Sequence, residues 1–284
     1  MEKEVTIKKL NTAMAASAKW AILLIYFGIT LFPLIWLTVS SFKTNFKIQT
    51  APFAFPEVWQ FKNFINAVSI SGLTRYYLNS AIISISSTLI NIFVASLASF
   101  ALAREDFPFK KAIFTIVTAG VLVPSMALMV PYYILVTRVL MVYDTIYGLI
   151  ITYAAINIPI SVFIISSFMK SIPKDLEDSA EIDGCSMVKR YSKIILPLAQ
   201  PGLVTASVFN FIHSWNEFIY ALLLTSSRSS RTVQVAIRYF TSQFRTDYAS
   251  MFAAIVLTMI PTILLYIFLH EKIISGVTAG AVKG

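Results

Sequence analysis

An all-α polytopic membrane protein with six transmembrane helices is what the sequence predicts, on three observations. Apolar residues fill 57% of the 284 positions and charged residues only 13%, about half the charged share of an ordinary soluble domain. The apolar residues gather into blocks of roughly twenty or more with almost no charge, the length a helix needs to cross a hydrocarbon core about 30 Å thick. One long charged stretch, DLEDSAEIDGCSMVKRYSKIILPLAQPG at 175–202, stands between the fourth and fifth blocks.

The blocks are 20–42, 76–103, 112–137, 146–169, 203–224 and 249–269, in a single transmembrane domain over 1–284. The first is too long for a signal-peptide core and no small-x-small cleavage site follows it, so it is expected to be retained. Prolines recur inside the spans at Pro33, Pro124, Pro131, Pro159 and Pro261. Membrane helices tolerate them where neighbours or cavity water satisfy the freed carbonyls. Such kinks serve either helices that rock or simple packing.

Six spans put both termini on one side, and the basic residues choose which. Fourteen of the 23 Lys and Arg fall in the two tails and in the second and fourth loops. By the positive-inside rule both termini and the 170–202 loop are cytoplasmic. Arg228, Arg231, Arg238 and Arg245 oppose this bias in one loop assigned outside. The net charge of +9 suits loops held against anionic lipid and does not call for nucleic acid. The one cysteine, Cys185, excludes an internal disulfide and an all-cysteine metal site.

The charged segment reads as two helices and a corner. Ser171 and Pro173 mark a helix start, and Asp175, Glu177 and Asp178 favour its positive end. Gly184 ends it, being free to take positive φ. A second helix from Ser186 carries Lys189, Arg190 and Lys193, and Pro197 and Pro201 stop it. Met187, Tyr191, Ile194 and Leu198 share one face at α-helical spacing. Such a segment lies on lipid, covers its own protein, or enters a groove on a partner.

Asp178-Ser179-Ala180, then Gly184, then Ile194-Ile195-Leu196-Pro197 resembles the signature Glu-Ala-Ala, three residues, Gly, nine residues, Ile-x-Leu-Pro of permease subunits from binding-protein-dependent ABC importers. Aspartate stands for glutamate and serine for the first alanine, which keeps the acid and the small size. SFK at 41–43, LNS at 78–80, WNEF at 215–218 and the tail GVTAGAVKG at 276–284 are similar to the carbohydrate-uptake branch, specifically the smaller channel subunit of maltose-type transporters. The resemblance implies a permease in the prokaryotic cell membrane. It works with a second permease subunit, two cytoplasmic ATPase subunits that hold ATP and magnesium, and an extracytoplasmic solute-binding protein. The 170–202 loop would then be the coupling loop. Its first helix docks on the ATPase through Leu176 and Ala180, bordered by Glu177, Asp178, Glu181 and Asp183, and the 270–284 tail runs along the ATPase.

No phosphate-binding loop, nucleophile elbow or zinc spacing occurs, and the only histidines are His213 and His270. The chain therefore reads as a channel subunit with no cofactor of its own, and ATP hydrolysis belongs elsewhere. In the fifth block Asn210, His213, Ser214 and Glu217 fall on one helix face, with Asn216 beside it. Intramembrane polarity of this kind either lines a path, here for sugar hydroxyls, or joins helices. Asn79, Asn91 and Asn157 are weaker candidates of the same sort. In the 43–75 loop, Phe53, Phe55, Trp59, Phe61 and Phe64 are expected around a short surface helix, either as an interfacial belt or as a surface for a binding protein. An ion-coupled secondary transporter or a non-catalytic membrane scaffold stands as the alternative, although internal repeats are missing.

Overall fold

The computed structural model describes residues 2–69, 72–238, 240 and 247–281. Among them every regular element is helical: α1 Glu2–Ser40, α2 Asn45–Thr50, α3 Lys62–Ser69, α4 Leu73–Arg104, α5 Lys110–Ala119, α6 Met129–Ile134, α7 Ile146–Ile156, α8 Ile158–Ser171, α9 Asp175–Ile182, α10 Met187–Lys189, α11 Leu196–Leu198, α12 Gln200–Asn216, α13 Ile219–Leu224, α14 Val233–Arg238 and α15 Tyr248–Ala281. Arg245 and tail residues 282–284 lie outside the described residues, and α15 carries the backbone through to Ala281.

Among the described residues three helices are unbroken and apolar enough to cross a bilayer: Ala16–Ser40, Leu73–Arg104 and Tyr248–His270. The count reaches six if each of three bent pairs is one span. These are Lys110–Leu122 with Ser125–Val139 at 101°, Ile146–Ile156 with Ile158–Ser171 at 47°, and Met187–Leu198 with Gln200–Asn216 at 73°. Proline chemistry accounts for the first bend. Val123, next to Pro124, is extended at ψ 118, as a residue preceding proline must be to avoid its ring. At the other bends Pro159 and Pro201 sit in the first turn of α8 and α12, where a missing N–H is harmless. Pro33 and Pro261 lie inside α1 and α15.

The expected helix over 203–224 is corrected at both ends. It begins at Gln200, bent from the helical segment before it, and stops at Asn216, where Glu217 turns extended at ψ 127 before α13 restarts. The helix start at Ser171 is also displaced. Ser171 closes α8, donating its hydroxyl to the Phe168 carbonyl at 2.8 Å, and α9 begins at Asp175 with no side-chain cap.

The described residues pack as two compact units. In the first, residues 1–71 with 240–257, the Asn63 amide donates to the Ser41 and Lys43 carbonyls at 2.8 Å, closing the exit of α1. The Phe42 ring meets Trp59, Phe61 and Phe64 at 4.9–5.2 Å. Phe53, Phe55 and Phe61 stay exposed. Two short helices, α2 and α3, stand where one was expected. The buried Lys43 ammonium donates to the Pro52 carbonyl at 2.8 Å, and burial pushes its pKa down.

The second unit, 72–239 with 258–284, holds two apolar clusters. Ile83, Val136, Leu149, Tyr153, Tyr220 and Leu224 form one. Ala95, Phe100, Val162, Ile165, Met169 and Ile195 form the other. Unbroken α4 supplies both, with polar Ser87, Thr88 and Asn91 between them along its length. The helix breaks at 123–124, 157 and 217 fall at the same division, since residues before and after them sort into different clusters.

Candidate functional site

The 170–202 loop is built around a helix that must stop sharply. Asp175, Glu177 and Asp178 occupy the first turn of α9, where carboxylates complement the helix dipole. At its end Gly184 takes φ +76, its N–H reaches the Glu181 carbonyl at 3.0 Å, and the Cys185 N–H reaches the Ala180 carbonyl at 2.9 Å. These two bonds form a Schellman closure, which requires a left-handed residue where Gly184 stands. Nothing lies within 4 Å of a Cβ built on Gly184, so its role is conformational.

After the corner, α10 passes into a π-helical stretch, Arg190–Ile195, before α11. The wider turn shifts the register, and the face expected from α-helical spacing is redistributed. Met187 and Leu198 are about half exposed, while Ile195 and Ala199 are fully buried. Ile194 and Leu196 are half-buried and Pro197 is exposed. Tyr191 turns inward, its hydroxyl 2.8 Å from that of Ser96 and its ring 5.2 Å from Phe100.

The charges of α9 divide between its two faces. Glu177 is buried, with its side chain 4% exposed, and pairs with Arg104 at the end of α4, itself 7% exposed. Arg104 Nη1 also donates to the carbonyls of Met169 at 3.1 Å and Ile172 at 2.9 Å. Arg190 bridges Glu181 and Glu105, the latter at 3.0 Å, and lies 4.0 Å from Glu177. Glu177 and Ala180 thus face the chain's own interior, which corrects the expected outward strip of Leu176 and Ala180. The outward face carries Leu176, Asp178, Ser179, Ile182 and Asp183, with Ile182 87% exposed. Arg104 and Arg190 were the residues missed. Nothing in the one-dimensional pattern shows that Arg104 faces Glu177, 73 residues on, or that Arg190 joins Glu181, 9 residues back, to Glu105, 85 residues back.

The polar residues of the fifth span do not share one face. Asn210 and Ser214 are buried against α4: Thr88 Oγ1 donates to Asn210 Oδ1 at 3.1 Å, and Ser87 Oγ donates to Ser214 Oγ at 3.2 Å. Asn91 donates to the Ala154 carbonyl at 2.7 Å, and Asn79 to the Ser229 and Arg231 carbonyls at 2.9 Å. The bonds of Asn210, Ser214 and Asn91 join helices, and that of Asn79 ties α4 to the loop before α14. His213 and Asn216 are exposed on the surface of the chain; His213 Nδ1 lies 3.2 Å from the Asn157 amide, and Asn216 bonds the Ile212 carbonyl behind it. Glu217 has left the helix. Its carboxylate accepts from the Tyr220 and Ala221 amides at 2.8 and 3.0 Å and from the Tyr153 hydroxyl at 2.7 Å, so it caps α13 and ties it to α7.

A second clamp escaped sequence reasoning. Asp144, at φ +57, accepts from the Ser226 and Ser227 amides at 2.7 and 2.9 Å and from the Ser230 hydroxyl. Burial works against its ionisation, but these hydrogen bonds outweigh it and hold the carboxyl down at about 2. Among the described residues no group of three or more His, Cys, Asp and Glu comes together to hold a metal.

The comparisons with known proteins agree on the architecture. Residues 92–278 match the model of the family described as binding-protein-dependent transport system inner membrane component. The diacetylchitobiose uptake system permease protein NgcG of Streptomyces coelicolor is 31% identical over 94% of this chain and 89% of its own. The trehalose transport system permease protein SugB of Mycobacterium tuberculosis is 32% identical over 93% of this chain and 97% of its own. A bacterial ABC transporter involved in import of the acidic polysaccharide alginate has a chain that superposes with a TM-score of 0.81 at 18% identity, covering 91% of this chain and 96% of that one. With a family match spanning α4 to α15 and relatives alike over nearly their full length, the chain belongs to the inner membrane components of binding-protein-dependent transport systems.

Proposed function

We propose that this chain is the channel-forming permease subunit of an ABC importer for a sugar or oligosaccharide. It forms half of the translocation path with a second permease subunit, is fed by an extracytoplasmic solute-binding protein, and is driven by two cytoplasmic ATPase subunits that carry ATP and magnesium. Both termini and the 170–202 loop face the cytoplasm, in keeping with the basic-residue bias. The observation that carries the reading is α9 with its Gly184 corner: a helix held on one face at the ends of α4 and α8, with apolar Leu176 and Ile182 exposed among acids on the other, in a chain of this family. Exposed apolar side chains ringed by charge suit a partner with a complementary groove. The sugar class rests on the names of NgcG and SugB. His213 and Asn216, exposed beside the break in the fifth span, are the residues that would meet cargo.

Ile182 separates this reading from an ion-coupled transporter or a scaffold. Ile182→Asp places a charge where the ATPase groove would close, so at least tenfold less ATPase should co-purify with the membrane complex. Undiminished ATPase retention would overturn the docking assignment.

A further inference from the structure

We propose that Arg104 is a positioning residue through which α9 drives the membrane helices, locking α9 to the ends of α4 and α8 so that the three move as one block. The inference rests on the reading of α9 as the ATPase-docking helix and goes beyond it, since it names how motion leaves that helix.

Three directions of contact meet at one guanidinium. Nε donates to Glu177 Oε1 on α9, with Nη2 in ion-pair contact with the same oxygen, Nη1 holds the carbonyls at the end of α8, Met169 and the capping Ile172, and the side chain itself belongs to the last turn of α4. Only a planar fork with five donors makes these bonds together; a lysine ammonium offers a single point. Arg190 adds a second brace, joining Glu181, one turn beyond Glu177, to Glu105 beside Arg104. Force applied on the outward face of α9 therefore reaches the spans through two charged struts on its inward face.

Stability alone is a poor reason for this pair. Its members are nearly buried, and desolvation commonly cancels the attraction, so an apolar pair of similar volume often stabilises equally well. Apolar contacts slide, however, whereas charge-assisted hydrogen bonds hold one direction and length. A joint that passes force from α9 to the spans needs the second property.

The test uses the full importer, purified with its ATPase and partner permease and trapped with ATP and vanadate. Spin labels are placed at Asp175→Cys, at the start of α9 and away from Leu176 and Ile182, and at Phe163→Cys on α8, both exposed positions, with Cys185→Ser removing the native thiol. In the chain with the native pair, the label separation should stay constant within about 1 Å between nucleotide-free and trapped states. In R104M/E177L, which restores an apolar contact, the separation should change by several ångströms on trapping while ATPase retention stays near normal. E177Q should give the same uncoupling if the double variant does not assemble. A separation that changes in the native-pair chain, or that stays fixed in R104M/E177L and E177Q with ATPase bound, overturns the proposal. Loss of ATPase from the variants alone also overturns it, because the pair would then serve docking instead of transmission. A complex in which even the native-pair chain retains no ATPase refutes the docking reading itself and the inference with it.

Discussion

Gly184 and Asp144 both take positive φ, and they do so for opposite reasons. Gly184 supplies a conformation that closes α9 and leaves open space around it. An alanine there fits sterically yet is forced into the left-handed region, at a cost of about 1–2 kcal/mol. Gly184→Ala should therefore loosen the corner and speed amide exchange at Cys185 severalfold, while Gly184→Asn, which tolerates that region, should do so less. Asp144 accepts the strain because its carboxylate then reaches two serine amides and a hydroxyl. Its pKa is lower in the folded chain, about 2 against an ordinary 3.8, so its contribution is complete above about pH 4 and disappears as pH falls through 2. The difference in thermal stability between the native chain and Asp144→Asn should be present at pH 6 and shrink steadily between about pH 4 and 2. A pH-independent difference would show that the carboxylate's charge plays no part. Glu217 likewise uses one side chain twice, to cap α13 and to anchor Tyr153.

Helices α4, α8 and α12 approach closely because small residues let them. A Cβ on Gly202 would meet the Phe168 ring at 2.6–2.7 Å, closer than real contacts allow. Gly202→Ala should cost about 1–3 kcal/mol through overpacking, and Phe168→Leu in the same chain should recover part of that loss in a thermal unfolding measurement. Failure of the second change to help would place the crowding elsewhere. The breaks have separate local causes, a proline-preceding residue at Val123 and an acidic cap at Glu217, yet they divide the apolar clusters together. The π-helical stretch from Arg190 acts differently: it rotates Tyr191 and Ile195 inward and leaves Leu198 outside.

Across the whole molecule the surface is mostly apolar where the long helices run, with Trp20, Ile22, Phe27 and Ile29 of α1 all more than half exposed. Water does not tolerate such a face at this extent, and lipid does. The proposed topology has a direct check. In sealed right-side-out vesicles carrying the chain without Cys185, a cysteine at exposed Ser226 should react with an impermeant maleimide, and one at exposed Lys189 should react only after the vesicles are opened. The reverse pattern would invert the assigned orientation.

Apolar block length determined that this is a membrane protein, because bilayer thickness acts on any stretch of chain without reference to its neighbours. The Gly184 corner was equally plain, since a φ preference is local, whereas the caps expected at Ser171 and Ser186 did not form, and residues 178–197 carried the family resemblance. What only the tertiary structure decided is which polar groups face one another. Spacing on an ideal helix put Asn210, His213, Ser214 and Glu217 together; a break at 217 and the approach of α4 separated them. Likewise Glu177 reads as an exposed acid until Arg104, 73 residues earlier, is folded against it. Helix breaks and long-range ion pairs depend on the balance of contacts in three dimensions, and no single window of sequence contains both sides of that balance.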